Sequence, residues 1–123
     1  TAVTYLDSLR LGISRVYMYT WESGNDLWGI EYYNGTPGAT AMATMQDWLV
    51  GSTWQKCTTE SKGKRVRCNF TGSPYGSIQI IYPTRGSQTF KIGSQFNQVC
   101  DLYNNCNTAP EKIKIDGPVL LKP

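Results

Sequence analysis

There is no histidine anywhere in the 123 residues. Its absence removes the commonest general base and the commonest metal ligand, and it rules out a Ser/His/Asp or Cys/His nucleophile arrangement. Any chemistry would fall to the nine carboxylates, the tyrosines or the lysines. Charge is also scarce, at 17% of residues, and the net value of +3 with a pI near 8.7 is too mild to imply nucleic acid. No C-x-x-C spacing occurs among the cysteines, which argues against a thiolate metal or redox site. No apolar run is long enough to cross a membrane, and no signal peptide is evident. The chain begins inside what reads as a helix, as expected of a processed or excised product.

What is present is glycine (12 residues), tyrosine (8) and tryptophan (4). A weakly charged chain rich in glycine and aromatics reads as many short strands joined by turns. The length fits one domain with its own core, covering residues 1–123. The four cysteines, Cys57, Cys68, Cys100 and Cys106, form an even set in a Gly/Thr/Asn-rich chain, which favours two disulfides and a secreted, extracellular protein. Of the three possible connectivities, Cys57–Cys68 with Cys100–Cys106 is favoured. Each pairing encloses a short segment that reads as a turn between extended runs.

Two helices are expected. Residues 2–11 carry Val3, Leu6 and Leu9 at three-residue spacing, with Gly12 at the C-terminal cap position. Residues 36–50 start with a Thr36 cap and Pro37, carry an apolar stripe of Ala41, Met42, Met45, Trp48 and Leu49, and stop at Gly51. Trp48 and Phe70 are assigned to the core. Strands are expected over residues 14–21 and 27–33. Further hairpins are expected from residues 52–57 with 65–70 and from 77–82 with 88–92. Shorter runs follow at 96–103, 111–115 and 118–121. The run Lys62–Arg67, KGKRVR, is the one dense basic cluster and reads as a solvated hairpin tip. The expected fold is mainly β, an antiparallel β-sandwich with one or two short helices.

The strand at residues 14–21 alternates Val16, Met18 and Thr20 against Arg15, Tyr17, Tyr19 and Trp21, and it ends in Trp21-Glu22 before a polar loop. A flat indole beside a carboxylate at a strand end suits a sugar, with a stacking surface and a hydrogen-bond acceptor. The same chemistry nominates Trp21, Trp28, Tyr33 and Trp54 as stacking residues, with Glu22, Asn25 and Asp26 as hydrogen-bonding partners. Carboxylates and carbonyls near Asn25 and Asp26 could also hold a structural calcium, without the spacing of an EF-hand.

The run Gly12-Ile13-Ser14-Arg15-Val16-Tyr17-Met18-Tyr19-Thr20-Trp21 resembles the last helix–strand step of the (β/α)8 barrel in bacterial clan A glycoside hydrolases, family 39-like or family 5-like. The Thr36-Pro37-Gly38 helix start, the Trp48-Leu49-Val50-Gly51-Ser52-Thr53 run, a pair like Cys57/Cys68 and the ending Pro118-Val119-Leu120-Leu121 extend that resemblance over nearly the whole chain. The resemblance implies that Trp21 corresponds to an indole beneath the sugar at the cleavage point. It also implies that the two catalytic glutamates belong to barrel strands that would precede Thr1. A retaining glycosidase needs two carboxyls about 5–5.5 Å apart, and no paired carboxylate motif stands out here.

The expected function is therefore a non-catalytic module that binds β-glucan chains, cellulose-like or xyloglucan-like. Its partner is a polysaccharide or oligosaccharide, with no nucleic acid, membrane or cofactor. Two other readings stand beside it: a glycoside hydrolase fragment whose activity needs the missing barrel, and a purely structural accessory domain. A barrel strand without its barrel leaves an unpaired edge, so a homodimer through the first 35 residues is also expected.

Overall fold

The computed structural model describes residues 2–16 and 35–123. Helix α1 spans Ala2–Arg10 and buries Ala2, Leu6 and Ser8. It ends in a Schellman motif. The Gly12 amide donates to the Leu9 carbonyl (3.0 Å), the Ile13 amide reaches back to the Ser8 carbonyl (2.9 Å), and Gly12 takes a φ of +78°, which costs a glycine nothing. Helix α2 spans Pro37–Leu49. Its Thr36 hydroxyl accepts from the Ala39 amide, Pro37 occupies the first turn, and Gly51 follows the last turn at φ +82°.

Eight strands follow among the described residues: β1 (Thr53–Glu60), β2 (Arg65–Ser73), β3 (Gly76–Pro83), β4 (Gln88–Lys91), β5 (Gln98–Cys100), β6 (Cys106–Thr108), β7 (Lys112–Ile115) and β8 (Val119–Lys122). Six of them form one antiparallel sheet in the order β1-β2-β3-β8-β5-β6, and β4 and β7 form a second. The fold is thus a mainly β, antiparallel sandwich with two helices.

Strand alternation decides what covers each face of the large sheet. Val66, Cys68, Phe70, Ile78, Ile80, Tyr82, Cys100 and Leu120 share one core cluster with Ala2 and Leu6 of α1 and Met45 and Trp48 of α2. Ile81, Val99, Val119 and Leu121 form a second cluster with Phe90 of β4, Ile115 of β7, and the intervening Ile92 and Phe96. The central strands β3 and β8 are buried on both sides, which is why Ile80-Ile81-Tyr82 and Val119-Leu120-Leu121 are continuous apolar runs. Trp48 is fully buried, and its indole N–H has no hydrogen-bond partner. Tyr82 is also fully buried, and its hydroxyl donates to Asp7 of α1 at 2.7 Å, while Asp7 also pairs with Arg10 at 3.2 Å. Burial, and then the hydrogen bond to Asp7, hold the Tyr82 phenol far above its ordinary range.

Several expectations need correction. Residues 77–82 and 88–92 do not make a hairpin. β3 pairs with β2 and β8, and β4 pairs with β7. A strand apolar on both faces needs neighbours on both edges, and the chain after Pro83 is drawn aside when the Thr84 amide donates to the Lys64 carbonyl (2.9 Å). Residues 14–16 carry no regular structure, because the Schellman turn releases the chain away from the helix without a ladder partner; the rest of the expected strand at 14–21, and all of 27–33, lie outside the described residues. β1 runs to Glu60, so the first hairpin turn is only residues 61–64, with Ser61, Lys62 and Gly63 at positive φ. Lys62 and Lys64 are at the solvated tip, but Arg65 and Arg67 are half-buried on β2. Ile113 is half-buried where Ile115 is buried, and the short strand β6 carried no apolar pattern that could announce it.

Both disulfides have the expected pairing, Cys57–Cys68 and Cys100–Cys106. Each joins directly opposed residues of neighbouring strands, β1 to β2 and β5 to β6. They therefore staple the two outermost strands of the large sheet. Together they fit an oxidising compartment. Among the described residues, no helix is long and apolar enough to cross a membrane.

Candidate functional site

Two described aromatics are exposed, Tyr103 at 54% in the Cys100–Cys106 loop and Trp54, the one nominated from the sequence. Trp54 is 43% exposed on the outer strand β1. β1 carries a bulge between Trp54 and Lys56, so Trp54 still pairs with Phe70 while Lys56 opposes Asn69. A bulge of this kind adds local twist and re-aims the side chains beside it. The indole is held on its polar edge, since Nε1–H donates to Sγ of Cys57 at 3.3 Å, and Cys57 is itself fixed by its disulfide to Cys68. The bulged Gln55 sends its amide Nε2 to Thr71 Oγ1 at 2.9 Å. The result is an exposed aromatic ring anchored by its polar edge.

Tyr75 is half-buried beside the first core cluster. Its hydroxyl donates to Asp47 Oδ2 at 2.6 Å, and Lys122 Nζ sits 4.4 Å from the ring centroid. The Asp47 hydrogen bond, helped by burial, pushes the Tyr75 phenol above its usual range. With one edge bound to a carboxylate and a cation over the ring, Tyr75 is a structural tie between α2 and the sheet.

Of the residues nominated from sequence, Trp54 is the one among the described residues, and its side chain is exposed. Trp21, Glu22, Asn25, Asp26, Trp28 and Tyr33 lie outside the described residues, as does the nominated calcium position. The same holds for most of the segment expected to mediate a homodimer. Among the described residues, no group of three or more Cys, Asp or Glu could hold a metal ion. Trp48 and Phe70 are core, as expected, at 0% and 3% exposure.

Most described carboxylates are engaged in the fold. Glu60 accepts from Arg65 Nε (2.9 Å) and Arg67 Nε (2.7 Å). Burial alone would raise its pKa, but the hydrogen bonds from Arg67 and Arg65 outweigh that and hold it below the ordinary value of 4.5. Both guanidinium groups lie over the Phe90 ring, at 5.3 and 5.8 Å. Asp101 accepts from the amides of Tyr103 and Asn105 inside the Cys100–Cys106 loop. Burial opposes ionisation there too, and the hydrogen bonds, Asn105 foremost, bring its pKa below the usual carboxylate range. Asp7 and Asp47 bind tyrosine hydroxyls, and Glu111 pairs with Lys91 at 3.2 Å on the surface.

The chain matches no protein-family profile and no curated protein. Among solved structures it is similar to a pullulanase from Anoxybacillus sp. LM18-11 complexed with maltotetraose, at a TM-score of 0.39 and 10% identity over 60% of this chain. A second pullulanase structure from the same source gives 0.38 and 10% over 66%. The chain spans only 11% and 12% of the length of those two proteins. A likeness of this size carries no inference about what this chain binds or does.

Sequence reasoning missed the polar surface on the helix-distant side of β2 and β3. Asn69, Thr71, Ser77 and Gln79 line a groove there together with Gln95 and Phe96. The signal was available. Arg65, Arg67, Asn69 and Thr71 alternate against Val66, Cys68 and Phe70, so this face of β2 is polar along most of its length.

Proposed function

We propose that this chain is a secreted, non-catalytic carbohydrate-binding module that recognises β-glucan chains by stacking a sugar ring on exposed aromatics, Trp54 first among those described. The single observation that carries this reading is the state of Trp54. Its indole is exposed on an outer strand yet tethered through Nε1–H to the Cys57 sulfur. A tethered aromatic loses little conformational entropy on binding, and its flat face suits a sugar ring. The two disulfides and the resemblance to glycoside hydrolase C-terminal regions support the same reading. The proposed lack of catalysis rests on the sequence, which carries no paired carboxylate motif, and Asp7, Asp47, Glu60, Asp101 and Glu111 are each engaged with partners in the fold.

The test is titration of the chain with cellohexaose, followed by calorimetry and tryptophan fluorescence. Saturable heat with a fluorescence change is expected, and Trp54→Ala should weaken binding at least tenfold. Unchanged affinity in Trp54→Ala, or no binding at all, overturns this reading. Release of reducing sugar from a soluble β-glucan by the chain alone would replace it with a hydrolase.

A further inference from the structure

The face of the large sheet away from the helices is only partly covered. β4 and β7 cover Ile81, Val99, Val119 and Leu121. The cover stops before the β1–β2–β3 corner, where a groove of about 320 Å³ opens over β2 and β3. Cross-strand register builds its floor. Asn69 of β2 opposes Gln79 of β3, and Thr71 and Ser77 line the groove where the β2–β3 register becomes irregular after Phe70 and Ile78. Adjacent strands are about 4.8 Å apart, so Asn69 and Gln79 present their amides side by side. Phe96 and Pro123 supply apolar walls, and Gln95 lies at the rim with its amide against Gly93.

We propose that this groove is a second binding site, for an uncharged oligosaccharide chain, on the opposite side of the sheet from Trp54. Four observations converge on that class. The polar side chains lining the groove are amides and hydroxyls, which both donate and accept, as sugar hydroxyls do. The nearest guanidinium, Arg67, is engaged by Glu60, which it shares with Arg65, and its Nη1 donates to Gln79 Oε1 at 2.7 Å. Arg cannot accept, so the amide oxygen of Gln79 must face it, and the NH₂ group is left to donate to a ligand. Among the described residues, the side chains of Asn69, Ser77 and Gln95 have no hydrogen-bond partner, so a ligand displaces only water. Finally, Asn69 sits in the middle of a long strand, a position where asparagine is disfavoured. A local rule broken without a structural return is expected at a functional site.

A peptide is the less fitting occupant. Peptides that bind sheets add to a free edge through backbone hydrogen bonds. β1 is the edge strand, but the groove lies over β2 and β3, where β2 is paired on both sides and Gln79 of β3 pairs with both β2 and β8, so recognition in the groove comes from side chains on the face.

The proposal does not depend on Trp54 and can fail separately from it. The experiment records the side-chain NH₂ signals of Asn69, Gln79 and Gln95 in the ¹⁵N-labelled chain during titration with cellohexaose, maltohexaose and an uncharged Gly/Ser/Thr hexapeptide. At least one hexaose should shift these signals saturably. Asn69→Ala/Ser77→Ala should weaken that titration at least tenfold, and Gln95→Ala, at an exposed loop position, at least threefold. Trp54→Ala should leave the shifts in place. The proposal is overturned if neither hexaose moves the three signals, if the peptide alone moves them, or if shifts lost in Trp54→Ala survive intact in both groove variants. Tryptophan quenching that persists while the groove signals stay still would remove this site and leave the Trp54 reading standing.

Discussion

The two faces of the six-stranded sheet are built on opposite plans. Toward the helices, the central strands present apolar side chains and the Tyr82 phenol, which bonds Asp7, and α1 and α2 close over them with Leu6 and Trp48 fully buried. On the other face the same strand β2 presents Arg65, Arg67, Asn69 and Thr71, and the small β4–β7 sheet covers only the neighbouring half. The helix side is a sealed core, and the other side is a half-roofed surface with an ion cluster at the roof's edge. The difference shows how one alternating strand can hold a fold together with one set of residues and face solvent with the other. Stability should therefore depend on the sealed core of the first face and the groove's ligand chemistry on the second, with Trp54 exposed apart from the groove on the outer strand β1.

The largest effects are expected where the helices seal the sheet. Trp48→Ala should lower unfolding free energy by about 3–5 kcal/mol, read from denaturant midpoints, because it opens a large cavity in the first cluster. Trp48→Phe should cost clearly less than that, since the indole N–H it removes has no partner to lose. Equal losses in the two variants would show that the buried N–H is satisfied in solution.

Next come the staples. Replacing Cys57 and Cys68 together by alanine should cost about 3 kcal/mol, and replacing Cys100 and Cys106 about 2 kcal/mol, following the lengths of the loops they close. The Cys57 variant has a second readout, since Trp54 Nε1 loses its sulfur acceptor. Its fluorescence should shift in that variant and stay unchanged in the Cys100 one.

The ion cluster on the half-roofed face should give a smaller, pH-dependent effect. Glu60 is held below 4.5 in the folded chain, so its contribution is complete above that value and is lost as pH falls through the lower folded value. Glu60→Gln should destabilise the chain by about 1–2 kcal/mol near neutral pH. It should also flatten that part of the acid limb. An acid limb of unchanged steepness would mean that Glu60 is not the group that titrates there.

The smallest effect on stability belongs to Trp54→Ala, at less than about 0.5 kcal/mol in thermal unfolding, because an exposed side chain makes few contacts to lose. A large loss there would make Trp54 a packing residue and remove its claim to a ligand.

Much of the fold could be read from local pattern. Helix α2 was legible from Thr36, Pro37, the Met42–Met45–Trp48 spacing and Gly51, since caps and a helical apolar stripe are short-range signals. The same is true of the disulfide pairing, because each cysteine pair flanks one turn. The partners of β3 and β4 were not legible. A hairpin and a crossing to another layer share the same turn residues at 83–87, and only burial on both faces of β3 decides between them. The groove went unseen for a related reason. Asn69 and Gln79 are ten residues apart in sequence and become neighbours only through the β2–β3 register.

The sequence by itself therefore determined the mainly β composition, the two capped helices, the core roles of Trp48 and Phe70 and the cysteine partners, all of which depend on periodicity or spacing within one or two elements. Only the tertiary structure decided that β3 lies at the centre of the sheet, that Arg65 and Arg67 close over Phe90 with Glu60, and that a polar corner stays uncovered. Those features depend on which strands become neighbours and where the second layer ends, and long-range burial settles both.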